Sequence, residues 1–243
     1  MQKSLLQSQR LSDHTNIWVE IFIVVFTVMP FFVLAYFYPL LSERVPLFMN
    51  LNGEVAVWGE KNWLTVFRLP LMAAVTQMIC LLMKYGVLQS KIALPAENAD
   101  DFARLQKQST VFYVGLWDWF RCLVALKMSA ASFDTVFLSI ERFTFLSRTA
   151  FIITLIAALL SIPVALFYGY RLFDVKRSIK AKFGDVKTIK SVDASRVYGG
   201  IFYFNPSDSA MFVSKYVFNF ANRWVYVLVA CIITYPLLVF LQV

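Results

Sequence analysis

Three charge-free apolar runs constrain this chain more than any other feature. They cover residues 21–41, 149–170 and 224–243, and each holds 20 to 22 residues without an Asp, Glu, Lys or Arg. A helix needs about 20 such residues to cross the hydrocarbon core of a bilayer. The apolar core of a secretory signal is shorter, at about 7–15 residues. The runs therefore predict transmembrane helices, and the first of them is expected to remain uncleaved.

The composition also indicates that lipid, rather than water, surrounds much of this chain. Apolar residues make up 59% of the 243 positions and charged residues only 16%, whereas a soluble domain carries about 25% charged residues. A chain this apolar would expose large hydrophobic patches in water unless lipid covered them. The predicted fold class is an all-α integral membrane protein, with the lipid bilayer as its first partner.

Two less regular segments bring the predicted total to about five spans. The second span covers residues 64–88, where Arg68 and Lys84 lie near the two ends and are expected to reach the interface by snorkelling. The third covers residues 111–138. Two alternatives remain open for it, namely a single tilted span, or a surface helix up to about residue 119 followed by a span over 120–140.

Basic residues predict an orientation for these spans. With five spans, segments 1–16, 89–110 and 171–223 share one side of the membrane and, with Lys84, hold 16 of the 23 Lys and Arg residues. The opposite side holds four. Cytoplasmic loops are enriched in Lys and Arg, so we expect a cytoplasmic N-terminus and an external C-terminus.

The predicted organisation has six parts. They are a cytoplasmic arm (1–16), two spans with an outer loop at 42–63 (17–88), a cytoplasmic loop (89–110), the third and fourth spans (111–172), a basic cytoplasmic loop (173–223) and a fifth span (224–243).

The long cytoplasmic loop has a basic half and a β-prone half. Lys and Arg cluster between residues 171 and 190, which predicts attraction to anionic lipid rather than to nucleic acid. Two β-prone runs, 201–204 and 210–213, flank turn-forming residues and predict a small β-hairpin module. An isolated hairpin is marginal in water, so we expect the membrane surface or the helix ends to support it.

Charged residues inside the third span are the candidates for intramembrane function. Asp118 and Arg121 are three positions apart, so they share a helix face and can pair with each other. A charge at the bilayer centre costs at least about 2.5–3.5 kcal/mol and often marks a pathway or relay. An internal pair that merely lets the helix insert is the alternative. Lys127 lies further along the same span.

Catalytic patterns are missing from the sequence. It contains no GxSxG, HExxH, Walker A or GxGxxG motif. The single histidine, His14, and the widely separated Cys80, Cys122 and Cys231 offer no metal-binding or redox spacing. We expect no enzyme activity, no cofactor and no metal site.

The outer loop carries a family resemblance. Residues 46–61 resemble the loop between the first two helices of SdpI-type bacterial membrane proteins, although Phe48 and Met49 replace a typical His and its neighbour, and Ala56 replaces a common Asp. The matching positions are Pro46, Asn50, Gly53, Trp58, Gly59 and Lys61.

A second motif resembles a cytoplasmic module of uncharacterised bacterial multispanning proteins. The module reads Gly-x-Phe-Tyr-x-Asn-Pro-x-Asp, followed by Phe-Val-x-Lys. Its matching positions are Gly200, Phe202, Tyr203, Asn205, Pro206, Asp208, Phe212 and Lys215. From the residue types alone, Asn205, Pro206 and Asp208 predict a turn, because Asn and Asp bond nearby backbone and Pro fixes φ.

Two functional hypotheses follow. The SdpI-type resemblance implies a protein of the bacterial cytoplasmic membrane that protects against a secreted peptide toxin and signals to a cytoplasmic partner. In that hypothesis the outer loop meets the peptide and no catalysis is involved. The alternative is a small transporter or accessory subunit in which Asp118, Arg121 and Lys127 line a polar path.

Overall fold

Helices dominate the fold. The computed structural model describes residues 16–49, 54–88, 98–140, 144–184, 197–198, 202–206, 211–214 and 217–240. Its helices are α1 (Ile17–Phe37), α2 (Trp63–Leu88), α3 (Ala99–Ser139), α4 (Thr144–Phe183) and α5 (Arg223–Phe240). The first four are long and apolar enough to cross a membrane, and α5 is a shorter apolar helix. The prediction of an all-α multi-pass membrane protein with about five spans is confirmed.

Local chemistry sets the limits of α1. The side chain of Asn16 accepts a hydrogen bond from the backbone N–H of Trp18 at 3.0 Å and caps the helix N-terminus. A 3₁₀ turn, Tyr38–Leu40, follows the last helical residue and contains Pro39. The first span therefore ends where the predicted outer loop begins.

The third and fourth helices are longer than predicted. They contain 41 and 40 residues, which is about 60 Å at 1.5 Å per residue, or twice the hydrocarbon thickness. Helix α3 begins at Ala99, within the segment 89–110 that was expected to be a loop. Helix α4 continues past residue 170 to Phe183, so the basic residues between 171 and 182 lie on a helix. Gly184, at φ 68°, follows its end.

The segment predicted to be the outer loop folds into a two-stranded antiparallel hairpin. Strand β1 (Arg44–Met49) pairs with β2 (Val55–Glu60), and the register is irregular on both sides of Phe48. One more backbone hydrogen bond, from Lys61 N–H to Glu43 C=O at 2.8 Å, closes the base of the hairpin.

The predicted β module is present, and its strands pair in a different order from the one expected. Its strands are β3 (Val197–Tyr198), β4 (Phe202–Tyr203), β5 (Phe212–Ser214) and β6 (Val217–Asn219), in the order β3-β4-β6-β5. The runs expected to pair directly, β4 and β5, both bond to β6 instead. Strand β6 is parallel to β4 and forms an antiparallel hairpin with β5.

Two compact units make up the fold. The hairpin unit comprises Asn16–Met78, Trp119–Val164 and Ile233–Val243, and the sheet unit includes Ile79–Asp118 and Ala165–Ile232. In the hairpin unit, one cluster of buried side chains joins β1 to helices: Leu34, Leu41, Val45, Val66 and Val136. In the sheet unit, Met211 packs with Leu82, Val225 and Leu228. Each β element thus rests on helices of its own unit, as the marginal stability of short strands requires.

Small buried residues line part of α3 within the hairpin unit. Ala125, Ser129 and Ser132 are each at most 2% exposed, and the Ser129 hydroxyl donates to the carbonyl of Phe26 on α1. Small residues allow helix backbones to approach closely in membranes. This contact holds α3 against α1 beside the polar residues described next.

Candidate functional site

A buried arginine joins three helices of the hairpin unit. Arg121 on α3 donates through Nη1 and Nη2 to the two carboxylate oxygens of Glu20 on α1, at 2.7 and 2.8 Å. Its Nε donates to Oε1 of Gln77 on α2 at 3.2 Å, and Gln77 Nε2 donates to the Arg121 carbonyl at 2.9 Å. We call these three residues the Arg121 cluster.

The side chains of the Arg121 cluster are largely buried, which makes their polar contacts costly to break. The side chain of Arg121 is 4% exposed and that of Glu20 is 21% exposed. A planar guanidinium that meets a carboxylate with two parallel hydrogen bonds is among the strongest polar contacts in proteins. Removal of one partner would leave the other charge buried and uncompensated. The cluster therefore fixes α1, α2 and α3 to one another.

A second buried ion pair lies in the sheet unit. Lys84 Nζ on α2 donates to both carboxylate oxygens of Asp118 on α3, at 2.8 and 2.9 Å. The Lys84 side chain is 0% exposed and that of Asp118 is 13% exposed. This Lys84 pair is the sheet unit's counterpart of the Arg121 cluster.

Helix α4 approaches α3 closely, one turn before Asp118. A Cβ atom placed on Gly115 would lie 2.6 Å from Cε1 of Tyr168 on α4, which is closer than nonbonded carbon atoms pack. Glycine is therefore needed at position 115 for the Tyr168 ring to lie against the α3 backbone.

The sequence singled out Asp118 and Arg121 but not their partners. Each pairs with a residue on another helix, Lys84 and Glu20 respectively. Glu20 and Gln77 were missed as site residues. The available signal was an acidic residue in the first turn of a span, which favours a basic partner on a neighbouring helix. The third candidate, Lys127, is exposed on α3.

The burial of two basic residues of α2 contradicts the snorkelling prediction. Lys84 and Arg68 are 0% and 4% exposed, respectively. The expectation that they extend to the membrane interface is wrong, because both side chains are enclosed by protein. In the case of Lys84, the carboxylate of Asp118 compensates the buried charge.

Lys61 anchors the base of the hairpin. Its Nζ donates to the carbonyl of Leu41 at 2.8 Å and lies 5.2 Å from the ring centroid of Tyr38. The Tyr38 ring stacks on that of Trp63, with centroids 4.2 Å apart and an angle of 8° between the planes. A cation above an aromatic ring is attracted to its face. The hairpin is thus attached to the ends of both α1 and α2.

The remaining outer-loop residues divide into packed and exposed positions. Pro46 is buried opposite Trp58, and Trp58 is 49% exposed. Gly59 contacts Leu47, since a Cβ at Gly59 would lie 2.8 Å from Leu47 Cδ1. Asn50 and Gly53 lie outside the described residues.

A buried asparagine organises the β module. Asn219 is 0% exposed; its Oδ1 accepts from the N–H groups of Asn205 and Ala221, at 3.1 and 3.2 Å, and its Nδ2 donates to the Asn205 carbonyl at 3.2 Å. Asn205 Nδ2 donates to the Tyr203 hydroxyl at 2.9 Å. The side chain of Asn205 therefore braces the strand before it, and Asn219 holds its backbone.

The other predicted module residues are placed less fully. Tyr203 is buried, Pro206 is exposed, and Phe202 and Phe212 lie on β4 and β5. Gly200, Asp208 and Lys215 fall outside the described residues, so the turn predicted from Asp208 stays a prediction.

Comparison with known protein families gives a match over part of the chain. A family model described as a domain of unknown function, DUF1648, matches residues 25–74, which is about a fifth of the chain and covers most of α1, the hairpin and the first part of α2. No curated protein and no solved structure matches the chain. Similarity to a known family is therefore shown for the segment around the β1–β2 hairpin.

Proposed function

We propose that the chain is a non-catalytic protein of the toxin-immunity or signalling type in a bacterial cytoplasmic membrane. Its N-terminus is cytoplasmic in this proposal, and the outer hairpin meets an extracellular peptide. The observation that carries the proposal is a hairpin that is anchored at its base and that exposes apolar side chains as well as charged ones. Val57 and Trp58 on β2 are 46% and 49% exposed.

The attachment of the hairpin favours binding. Lys61 fixes it to α1 through Leu41, and the stacked Tyr38 and Trp63 rings support it from the helix ends. A surface that is already ordered loses little conformational entropy when a ligand arrives. Exposed aromatic side chains on such a surface are common anchors of binding energy.

Charge indicates what kind of peptide fits. The chain has a net charge of +8, but the hairpin and its base carry three carboxylates against two basic residues: Glu43, Arg44, Glu54, Glu60 and Lys61. Lys61 is already engaged with Leu41. An apolar surface with excess negative charge complements a cationic amphipathic peptide.

The cytoplasmic part of the proposal rests on the long basic helix and the β module. Arg171, Lys176, Arg177 and Lys180 are exposed on α4, where anionic lipid headgroups would be attracted. The β module, held by Asn219, would present Pro206 to a protein partner. The SdpI-type resemblance supports these two separate roles. The DUF1648 match, over residues 25–74, includes the hairpin, and that domain is itself of unknown function.

The transporter alternative has less support. Asp118 and Arg121 are each engaged in a buried pair with a residue of another helix. Charges held by well-aligned partners join helices, whereas a conducting path needs sites that release what they bind. Lys127 lacks the burial that a path inside the protein would require.

The proposal is tested by survival of cells that are sensitive to cationic membrane-active peptides. Expression of the chain should raise the inhibitory concentration of at least one peptide in a purified panel, and Trp58→Ala should remove that protection. Trp18→Ala is the matched control, because Trp18 is 75% exposed at the opposite end of α1. Equal sensitivity of cells with and without the chain, across the panel, would refute the proposal.

A further inference from the structure

Strand β2 has an open edge. The hairpin is a separate two-stranded sheet, so the side of β2 that faces away from β1 has no strand beside it among the described residues. Ala56, Val57, Trp58 and Glu60 of this strand are exposed. An edge of this kind presents backbone donors and acceptors to any extended chain that approaches it.

The hydrogen bond at the hairpin base fixes which backbone groups face that edge. Lys61 N–H bonds to Glu43 C=O, so residues 43 and 61 form a hydrogen-bonded pair. Antiparallel pairs alternate between bonded and non-bonded. The pairs Arg44–Glu60 and Pro46–Trp58 are therefore non-bonded, in agreement with the missing N–H of proline.

The amide groups of Trp58 and Glu60 consequently point away from β1. The carbonyl of Glu60 accepts a long hydrogen bond of 3.5 Å from Asn62 Nδ2. Within the described part of the chain, the N–H groups of both residues and the carbonyl of Trp58 remain for a third strand. Strand β1 is less suited to this role, because its register is irregular and it contains Pro46.

We propose that the edge of β2 binds an extended cationic peptide as a third, antiparallel strand. This inference rests on the proposed function and specifies how the hairpin would recognise its peptide. Strand addition takes its affinity from main-chain hydrogen bonds and its specificity from alternate side chains. A second copy of the chain is a poorer occupant, because two hairpins with excess carboxylates repel each other.

The side chains of β2 define the sequence pattern of the ligand. Trp58 and Glu60 are two positions apart and lie on the same face of the strand. Opposite them, a peptide gains most from an aromatic residue and a basic residue with the same spacing. The intervening peptide positions face Val57 and Gly59 and suit a β-branched apolar side chain.

A synthetic peptide tests the inference directly. The probe is Val-Lys-Val-Phe-Val-Lys with blocked ends and a fluorescent label, as long as the six-residue strand β2, titrated against the full chain in nanodiscs. N-methylation of the Lys and Phe amides, which would face β2, should weaken binding about tenfold or more. N-methylation of the Val amides should leave binding nearly unchanged. Equal weakening by the two patterns would overturn the proposal.

Protein variants supply the second arm. Glu60→Pro removes an edge N–H and the carboxylate, while Glu60→Gln removes only the charge and should weaken binding less. Amide hydrogen exchange of the unmodified protein should show Trp58 and Glu60 becoming protected when the probe is added. The proposal is contradicted if these two amides gain no protection from exchange. It is also contradicted if their protection rises with protein concentration when no probe is present.

Failure of this inference is distinguishable from failure of the proposed function. Protection of cells that survives Glu60→Pro but not Trp58→Ala would refute strand addition and leave the immunity function standing. Strand-like binding of the probe in nanodiscs, with no protection of cells by the unmodified chain, would refute the immunity function and leave strand addition standing.

Discussion

Arg121 uses at least three of its five N–H donors on two other helices. Glu20 and Gln77, which accept these bonds, belong to the first and second helices of the chain. A lysine could supply the charge but not the planar fork that meets both carboxylate oxygens. The residue type at position 121 is therefore as constrained as its charge.

Replacement of Arg121 by methionine should destabilise the protein by about 3 kcal/mol, because the Glu20 carboxylate loses its counter-ion in a mostly buried position. Unfolding in detergent micelles, followed by tryptophan fluorescence, measures the change. Lys127→Met is the matched control on the same helix. Lys127 is exposed, so its replacement should change stability by less than about 0.5 kcal/mol. Equal effects of the two variants would contradict a tight Arg121 cluster.

The Lys84 pair allows a sharper experiment, since both of its partners can be made apolar. Lys84→Met alone should cost about 3 kcal/mol, whereas Lys84→Met combined with Asp118→Leu should recover most of that loss. The same unfolding measurement applies. As a second readout, a purely structural pair should give no proton flux in liposomes, in either the wild type or the double variant. A double variant that is as unstable as the single one would contradict a purely structural role for the pair.

At the scale of elements, Gly115 determines how closely α3 and α4 pack. Gly115→Ala should destabilise the protein by about 1–3 kcal/mol, because the new methyl group overlaps the Tyr168 ring. Gly169→Ala on α4 is the control; a Cβ there meets nothing within 4 Å, and alanine favours helix by up to about 1 kcal/mol. In thermal unfolding, the Tm of Gly115→Ala should be lower than that of the wild type, and the Tm of Gly169→Ala should be higher.

A suppressor tests the cause of that effect. Tyr168→Ala added to Gly115→Ala should restore part of the lost stability, since it removes the atoms that the methyl group meets. If the double variant is no more stable than Gly115→Ala alone, the contact between this ring and this backbone is not the cause.

The elements show what sequence could and could not predict. Hydropathy was sufficient for the helices, because about 20 apolar residues in lipid have few alternatives to a helix. It did not locate the start of α3 at Ala99 or the end of α4 at Phe183. Those ends extend beyond the apolar runs, and the contacts between Phe102 and Phe183 and between Asp101 and Lys182 link residues about eighty positions apart.

The same limit applies to the candidate site. Asp118 and Arg121 were identifiable because each is a charge in an apolar segment. Their partners were not, because pairing of Glu20 with Arg121 joins residues 101 positions apart and depends on helix packing. The central position of β6 in the sheet was also not predictable from the sequence. Asn219 on β6 bonds to the backbone of Asn205, fourteen positions away, and this pairing depends on how the module folds.

At the scale of the whole molecule, the distribution of basic residues predicts the orientation. In a background with all three cysteines replaced, Ser42→Cys should react with a membrane-impermeant maleimide in intact cells. Lys182→Cys should react only after the cells are opened, because the basic end of α4 is expected in the cytoplasm. Both positions are exposed, so the contrast reports sidedness rather than burial. The reversed pattern would invert the proposed topology.

The distance along the chain between Glu20 and Arg121 also has a consequence for biosynthesis. At about 5–20 residues per second, synthesis from Glu20 to Arg121, which are 101 positions apart, takes about 5–20 s. During that time α1 carries a carboxylate without its guanidinium. Glu20 lies in the first turn of α1, where a newly inserted helix can keep the group at the water interface. The first helix can thus enter the bilayer before its buried counter-ion has been made.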